Sequence, residues 1–152
     1  MIIRPNEDGY RDDLIFMVLL AKDALGRKPT INEDLLDIQS NYMERGDMFW
    51  IAVDESDRVV GSIGCSRMPG MDEAFLHRLY VKPCEKRRGI GTKLLNTAES
   101  WMREQGITVS HVHLGVPKEQ WHESWAFYPK HGYREYEPRY MKKELRAREF
   151  PK

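Results

Sequence analysis

Apolar residues recur along the first part of the chain at the spacing of two helix faces. An apolar pair near the N-terminus predicts a short strand at residues 2–4, and a helix is predicted to follow over residues 10–25. Gly26 and Pro29 end that helix. A second helix is predicted to begin at a Thr30–Glu33 capping box and to end at Gly46. Its apolar face comprises Ile31, Leu35, Ile38 and Tyr42.

Aromatic and β-branched runs then replace the helical spacing, and they predict three strands at residues 49–53, 59–68 and 75–81. The polar connections between them are short, which favours antiparallel pairing. Gly61 and Gly64 fall inside the middle strand, where a glycine often marks a bulge or a close approach of the backbone to a partner.

The second half of the chain alternates helices with strands. The segment Gly89-Ile90-Gly91 opens a helix that Gly106 ends. A strand at residues 108–116, a helix at 120–131 and a hairpin of strands at 133–136 and 140–145 are predicted to follow. The order β-α-α-β-β-β-α-β-α-β-β predicts one α+β domain over residues 1–152.

The composition of the chain narrows the class of protein to which it can belong. A chain of 152 residues with 41% hydrophobic residues can bury one core. Its net charge of zero predicts no overall attraction to nucleic acid or to an anionic membrane. The longest apolar run, residues 14–21, is much shorter than the ~20 residues of a membrane span. Two cysteines make no disulfide framework, so a cytoplasmic location is predicted.

The charges are divided unevenly between the two halves. Residues 1–76 carry 8 basic and 15 acidic side chains, whereas residues 77–152 carry 16 basic and 9 acidic ones. Chance segregation of solvated charge explains this division. A second explanation is that the later half binds an anion and the earlier half faces a cation.

The loop before Gly89 combines three features of an anion site. A helix N-terminus leaves about four backbone N–H groups unsatisfied and carries roughly half a positive charge. Glycines at 89 and 91 let a ligand approach the backbone, and Lys86, Arg87 and Arg88 precede them. The loop therefore predicts a phosphate site, with a solvated basic turn as the alternative.

These residues resemble the cofactor motif of the GNAT superfamily of acetyl-CoA-dependent N-acetyltransferases. The family pattern Gln/Arg-x-x-Gly-x-Gly/Ala follows a strand that ends in a Val-like residue, here Val81 and then Lys86-Arg87-Arg88-Gly89-Ile90-Gly91. Lys86 is a departure, because it keeps the charge and loses the planar donor group. A second segment, residues 127–133, resembles the family's Phe-Tyr-x-Lys-x-Gly-Phe. The resemblance extends over residues 2–145.

The resemblance implies a fold, a cofactor and roles for individual residues. The fold would be a mixed, mostly antiparallel sheet flanked by helices, with central strands that separate to admit the pantetheine arm of acetyl-CoA. The cofactor would lie along the backbone of Leu79, Tyr80 and Val81, which would also supply an oxyanion donor. Its pyrophosphate would meet the loop residues Lys86, Arg87, Arg88, Gly89, Ile90, Gly91 and Thr92, chiefly through the amides of Arg88, Gly89, Gly91 and Thr92.

Tyr128 matches the family tyrosine that protonates the departing thiolate, and packing in the core is the alternative for it. His77 is the first candidate for the general base, since an imidazole titrates near ~6.5. Glu73, on the same face of the strand, is the second, and a water chain is the third. His77 as a locally bonded core residue stays open.

For two histidines and two tryptophans, the sequence predicts packing or exposure rather than a role in the reaction. His111 and His113 are expected to be exposed or packed, and no metal site is predicted because ligands at the required spacing are missing. Trp121 and Trp125, four residues apart, are expected to pack on the core, with walls of an acceptor pocket as the alternative.

Together these features predict an N-acetyltransferase that acts on a primary amine, most simply a small molecule. Acidic residues in the region of the first two helices suit a cationic amine, and solvated helix faces explain them equally well: Asp23, Glu33, Asp34, Asp37, Glu44 and Asp47. Alternatives are a non-catalytic acetyl-CoA sensor or partner-binding module, a protein N-terminal or lysine acetyltransferase, and a site for another phosphate ligand. Assembly as a homodimer is left open.

Overall fold

One mixed β-sheet organises the chain in this computed structural model, which describes residues 1–146. The described residues form seven strands in the order β1-β2-β3-β4-β5-β7-β6. Neighbours pair antiparallel except β4 and β5, which run parallel. The strands are β1 (Ile2–Pro5), β2 (Met48–Val53), β3 (Val59–Arg67), β4 (Glu73–Val81), β5 (Val109–His113), β6 (Arg134–Glu137) and β7 (Tyr140–Glu144).

Helices cover both faces of this sheet. They are α1 (Arg11–Ala24), α2 (Ile38–Asn41), α3 (Ile90–Glu104) and α4 (His122–Lys130). The apolar faces of α1 and α2 share one core cluster, which includes Leu14, Ile38 and Tyr80. The stripe of α3 shares a second cluster with Tyr128 of α4 on the other face. This arrangement confirms the predicted mixed, mostly antiparallel sheet flanked by helices.

The predicted second helix is wrong as a continuous element. The chain instead forms a 3₁₀ turn at Glu33–Leu36, the single helical turn α2, and another 3₁₀ turn at Met43–Arg45. Asp37 interrupts the helical run, since its φ is −145°. Its carboxylate accepts a hydrogen bond from the backbone N–H of Ser40 at 3.0 Å. An aspartate that caps in this way competes with a continuing helix.

The predicted Thr30–Glu33 capping box does not form, because Asn32 occupies the N-cap position and makes no side-chain cap bond. The predicted apolar face is retained in part. Leu35, Ile38 and Tyr42 are buried, whereas Ile31 is exposed. The short turns therefore bury three of the four side chains that the predicted helix would have buried.

A buried carboxylate joins the crossover helix to the sheet. Glu99 of α3 is 2% exposed and accepts hydrogen bonds from the Tyr133 hydroxyl (2.8 Å) and the Lys143 ammonium of β7 (2.9 Å). The hydroxyls of Tyr133 and Ser110 of β5 also lie 2.8 Å apart. Because buried polar groups stabilise a fold only when their bonds are satisfied, this network holds α3 in a defined position against β5 and β7.

Candidate active site

The site begins with a gap between the two parallel strands. The pairing of β4 with β5 runs from Glu73 opposite Val109 to Leu76 opposite Val112 and stops there. Strand β4 continues to Val81 against β3, whereas β5 ends at His113, three residues earlier than predicted. The later half of β4 therefore presents one unpaired edge to this cleft.

Backbone alternation decides which groups face the cleft. The N–H of Lys82 donates to the Val60 carbonyl of β3 at 2.8 Å. Since N–H groups along a strand point alternately to its two sides, that of Val81 points away from β3 and into the cleft. Tyr80, the preceding residue, lies opposite Ser62 and turns its own backbone toward β3.

A β-bulge lies directly upstream. Register shifts between Ser62 and Gly64, so that Arg78 and Leu79 of β4 face a single residue of β3. Arg78 adopts φ +54°, which is uncommon for a residue with a side chain. The bulge brings the side chains of His77 and Arg78 to the face of the sheet that α1 covers. It also shifts the last residues of β4 out of the regular register with β3.

The loop after β4 ends in a helix N-terminus. Gly89 precedes α3 in the left-handed region at φ +77°, and Arg87 also has positive φ. The first helical bond runs from the Lys93 N–H to the Gly89 carbonyl at 3.0 Å. The N–H groups of Ile90, Gly91 and Thr92 precede that bond, so they are available to a ligand. Positive φ turns of this kind make anion-binding concavities.

The three cations of this loop have different surroundings. Lys86 forms an ion pair with Glu123 of α4, and Arg88 pairs with Glu85 at 3.1 Å. Arg87 makes no ion pair within residues 1–146. A phosphate that approached Lys86 would compete with Glu123, whereas one that approached Arg87 would meet no rival carboxylate.

Helix α4 brings the second motif to the same place. A Cβ at Gly91 would lie 3.5 Å from the Phe127 ring and 3.7 Å from Val81. The neighbouring Tyr128 is 4% exposed, and its ring packs edge-on against Phe127 and Tyr133. Its hydroxyl makes no hydrogen bond within the described part of the chain. Burial raises the pKa of Tyr128, so the phenol stays protonated at neutral pH.

His77 lies on the opposite face of β4 from Tyr128. Its Nε2 is 2.7 Å from the Ser66 hydroxyl of β3, and its ring packs near Phe75 and Tyr42. Burial, followed by the charge of Arg78, lowers the pKa of His77. The imidazole is therefore neutral at physiological pH and able to accept a proton.

Glu73 has a partner that the sequence did not indicate. Its carboxylate lies 2.7 Å from Nε2 of His111 on β5, and Nδ1 of that ring lies 3.0 Å from the Tyr136 hydroxyl. His111 is 5% exposed. The parallel register brings the two together, a neighbour relation that spacing along the chain does not show. Phe75 separates this pair from His77, so the two base candidates do not touch.

Trp121 forms the wall of a pocket. It stands just before α4 and packs on Gly115, where a Cβ would fall 2.0 Å from the indole ring. The guanidinium of Arg27 stacks on the indole, 3.3 Å from the ring centre. Trp121 and Arg27, together with Tyr80 and Arg78, line a cavity of about 250 Å³. Trp121 therefore both packs on the fold and lines a cavity, and its role as the wall of an acceptor pocket stays a prediction.

The acidic residues expected near the acceptor do not line this cavity. Asp34 is engaged by Arg78 and by the Tyr42 hydroxyl, Asp37 caps α2, and Asp47 accepts the Arg67 N–H. Four basic residues line it instead: Lys22, Arg27, Lys28 and Arg78. The electrostatic character of the pocket is therefore the reverse of the one expected for a cationic amine.

The chain matches the sequence profile of the acetyltransferase (GNAT) family over residues 16–133. Because this match covers more than half of its length, the chain belongs to that family, and the identification made from its motifs is confirmed. It is 35% identical to human N-acetyltransferase 8 over a segment that covers 62% of this chain and 48% of that protein. The chain matches less than half the length of the curated relatives it resembles.

Solved structures with the same fold cover almost the whole chain. A GNAT-family acetyltransferase from Staphylococcus aureus Mu50 superposes with a TM-score of 0.85 at 24% identity, over 95% of this chain and 99% of the other. The PaiA N-acetyltransferase from Thermoplasma acidophilum, solved in complex with coenzyme A, gives 0.75 at 21% identity, over 94% and 98%. At these identities the likeness establishes the fold.

Two further features bear on other classes of function. None of the helices within residues 1–146 combines the length and the apolar character needed to cross a membrane. The same residues contain no group of three or more histidine, cysteine or acidic side chains arranged to hold a metal ion.

Proposed function

We propose that this protein transfers the acetyl group of acetyl-CoA to the primary amine of a small molecule, with Tyr128 as the general acid. The observation that carries the proposal is the convergence of three parts on one cleft. They are the unpaired edge of β4, the open N-terminus of α3, and the buried Tyr128, whose hydroxyl makes no hydrogen bond within residues 1–146. Family membership supports the same reaction class.

The donor would bind along these parts in order. The N–H groups of Leu79 and Val81 would pair with the pantetheine arm as an added strand does. The N–H groups at the start of α3, with Arg87 and Arg88, would hold the pyrophosphate. Each hydrogen bond to a charged group contributes ~1.5–3 kcal/mol, so three or four anchor the cofactor.

The reaction then requires two proton transfers. The amine nitrogen attacks the thioester carbonyl carbon, and a β4 N–H stabilises the oxyanion that forms. When the C–S bond breaks, the sulfur takes the proton of Tyr128. The amine loses its proton to His77, the neutral imidazole nearest the bulge, with the Glu73–His111 pair as the second route.

Tyr128→Phe tests the acid. Because general acid catalysis contributes roughly 10²–10⁴-fold, turnover measured by thiol release should fall by that order, while acetyl-CoA still raises the melting temperature. Tyr10→Phe, the same change at a tyrosine near the first turn of α1, should keep normal turnover. Wild-type turnover in Tyr128→Phe would remove the acid role.

A ligand melt separates this proposal from its alternatives. Acetyl-CoA and CoA at ~100 times the dissociation constant should stabilise the fold by ~2.7 kcal/mol, and ATP and NAD should not. Stabilisation without thiol release for any amine would indicate an acetyl-CoA sensor. Release with peptides alone would indicate a protein acetyltransferase. The cytoplasmic location, a single-domain chain and a homodimer stay predictions.

A further inference from the structure

We propose that the acceptor amine also carries an anionic group, a carboxylate or a phosphate, and that this group binds among Lys22, Arg27 and Arg78. The proposal rests on the proposed function and names its substrate class. The basic pocket is the cavity of about 250 Å³ lined by these three residues with Lys28, Tyr80 and Trp121.

Lys22 is the strongest indication. It lies in the last turn of α1, is only 6% exposed, and donates to the Thr30 carbonyl at 2.6 Å. No carboxylate within residues 1–146 forms an ion pair with it. Burial, with the nearby charges of Arg78 and Arg27, lowers its pKa. Since a buried charge is normally paired, an arriving anion would supply the missing partner.

Arg27 is held in place beside Lys22. Its guanidinium lies on the Trp121 ring, and its Nε donates to the Gln120 carbonyl at 3.0 Å. It too makes no ion pair within the described residues. These contacts hold the plane of the guanidinium. Its terminal nitrogens, which also lie near the Tyr80 hydroxyl, would bind the carboxylate or phosphate.

The carboxylates near the pocket already have cationic partners. Asp34 accepts from Arg78 at 2.9 Å and from the Tyr42 hydroxyl at 2.6 Å, and Glu123, whose charge also acts on Arg27, forms its ion pair with Lys86. Lys22, Arg27 and Lys28 therefore have no ion pair within the described residues. Asn32 adds a buried amide oxygen that makes no hydrogen bond in the described chain, an acceptor suited to an N–H of the ligand.

The pocket adjoins the cleft in which the chemistry would occur. One wall is Tyr80, whose neighbour Val81 faces the gap. Another wall is Trp121, packed on Gly115 just beyond the end of β5. An acceptor anchored here by its anion would present its amine toward the separated ends of β4 and β5. An α-amino acid has the two groups that such a site requires.

Matched acceptors test the proposal. Lysine is compared with cadaverine, ornithine with putrescine, and phenylalanine with phenethylamine, so that members of a pair differ in the carboxylate. The wild-type protein should show a KM at least about tenfold lower for the carboxylated member, as expected for one charge-assisted hydrogen bond. Lys22→Met and Arg27→Gln should each reduce that preference, and Arg11→Gln, on the exposed first turn of α1, should keep it.

The outcomes separate this proposal from the proposed function. No melting shift with CoA would defeat the proposed function itself. A shift with CoA, together with equal KM values within each pair, would overturn the anionic acceptor alone. A raised KM for acetyl-CoA in Lys22→Met, with the pair preference unchanged, would assign the pocket to a cofactor phosphate and overturn it as well.

Binding supplies a readout that does not need turnover. In the CoA-loaded protein, lysine should raise the melting temperature more than cadaverine does, and this difference should vanish in both pocket variants. Equal shifts for the two ligands would contradict the proposal even if none of the six amines is acetylated.

Discussion

Substituting Gly89 or Gly91, the two glycines of the loop that we propose for the cofactor, by alanine should change the stability of the protein in opposite directions. Gly89 has φ +77°, a conformation that costs an L-residue about 1–2 kcal/mol. A Cβ at Gly89 meets nothing within 4 Å, so the penalty comes from the backbone alone. Gly91 lies inside α3 with ordinary φ, and its Cβ would lie 3.5 Å from Phe127, a normal contact.

Thermodynamic linkage determines how the Gly89 penalty is observed. If the strained loop persists without ligand, Gly89→Ala lowers the free energy of unfolding by about 1–2 kcal/mol. If the empty loop relaxes, the same amount appears as weaker binding of CoA, about tenfold. With CoA saturating, the loop is held in the bound conformation, so the full loss should appear in either case. Gly91→Ala should be neutral or stabilise by up to about 1 kcal/mol.

Urea unfolding with and without CoA measures both effects, and calorimetric titration gives the dissociation constants. Gly89→Ala should show the deficit in the presence of CoA, and Gly91→Ala should serve as its matched control. Wild-type stability and wild-type CoA affinity in Gly89→Ala would refute the assignment of strain. An equal loss in Gly91→Ala would show that space near Phe127, rather than φ, limits this helix start.

Two buried titratable groups, Glu99 and His77, give the remaining predictions. Glu99→Ala removes the acceptor of Lys143 and one of the two hydrogen-bond partners of Tyr133. It should lower the free energy of unfolding by about 3–5 kcal/mol in urea titrations, and a loss below about 1 kcal/mol would contradict the network. The lowered pKa of His77 means that the unfolded chain binds its proton more readily, so stability should fall as pH drops through ~6.5, and less so in His77→Gln. The acid limb of kcat/KM should lie below ~6.5 in the wild type, and an unchanged limb in His77→Gln would exclude His77 as the base.

Local sequence patterns were sufficient to predict most helices and strands, and to predict the glycine loop at the start of α3. The apolar stripe of α3 runs along most of the helix, and five of its residues are buried: Ile90, Leu94, Leu95, Ala98 and Met102. Gly89 takes the left-handed conformation that only a glycine adopts readily before a helix. Such features depend on a few consecutive residues, so their spacing along the chain is enough to predict them.

The second helix shows where local patterns fail. The apolar spacing from Leu35 to Tyr42 is helical, and yet Asp37 breaks the helix by capping the next turn. Because the same side chains reach the core through short turns, periodicity alone does not distinguish the two arrangements. The outcome depends on whether the Asp37 carboxylate bonds to the backbone N–H of Ser40 or the helix continues through Asp37. Tertiary packing decides between these two arrangements.

The sequence by itself determined the family, the order of the elements and the glycine loop that we propose for the cofactor, because each is encoded in neighbouring residues. Only the tertiary structure placed His111 beside Glu73, since parallel register joins residues far apart in the chain. Only it brought Lys22, Arg27 and Arg78 around one pocket, so that the site we propose for the acceptor is basic where the sequence predicted acidic side chains. Net charge along a segment does not say which side chains converge, because convergence depends on how the end of α1, the bulge of β4 and the turn before α4 pack together.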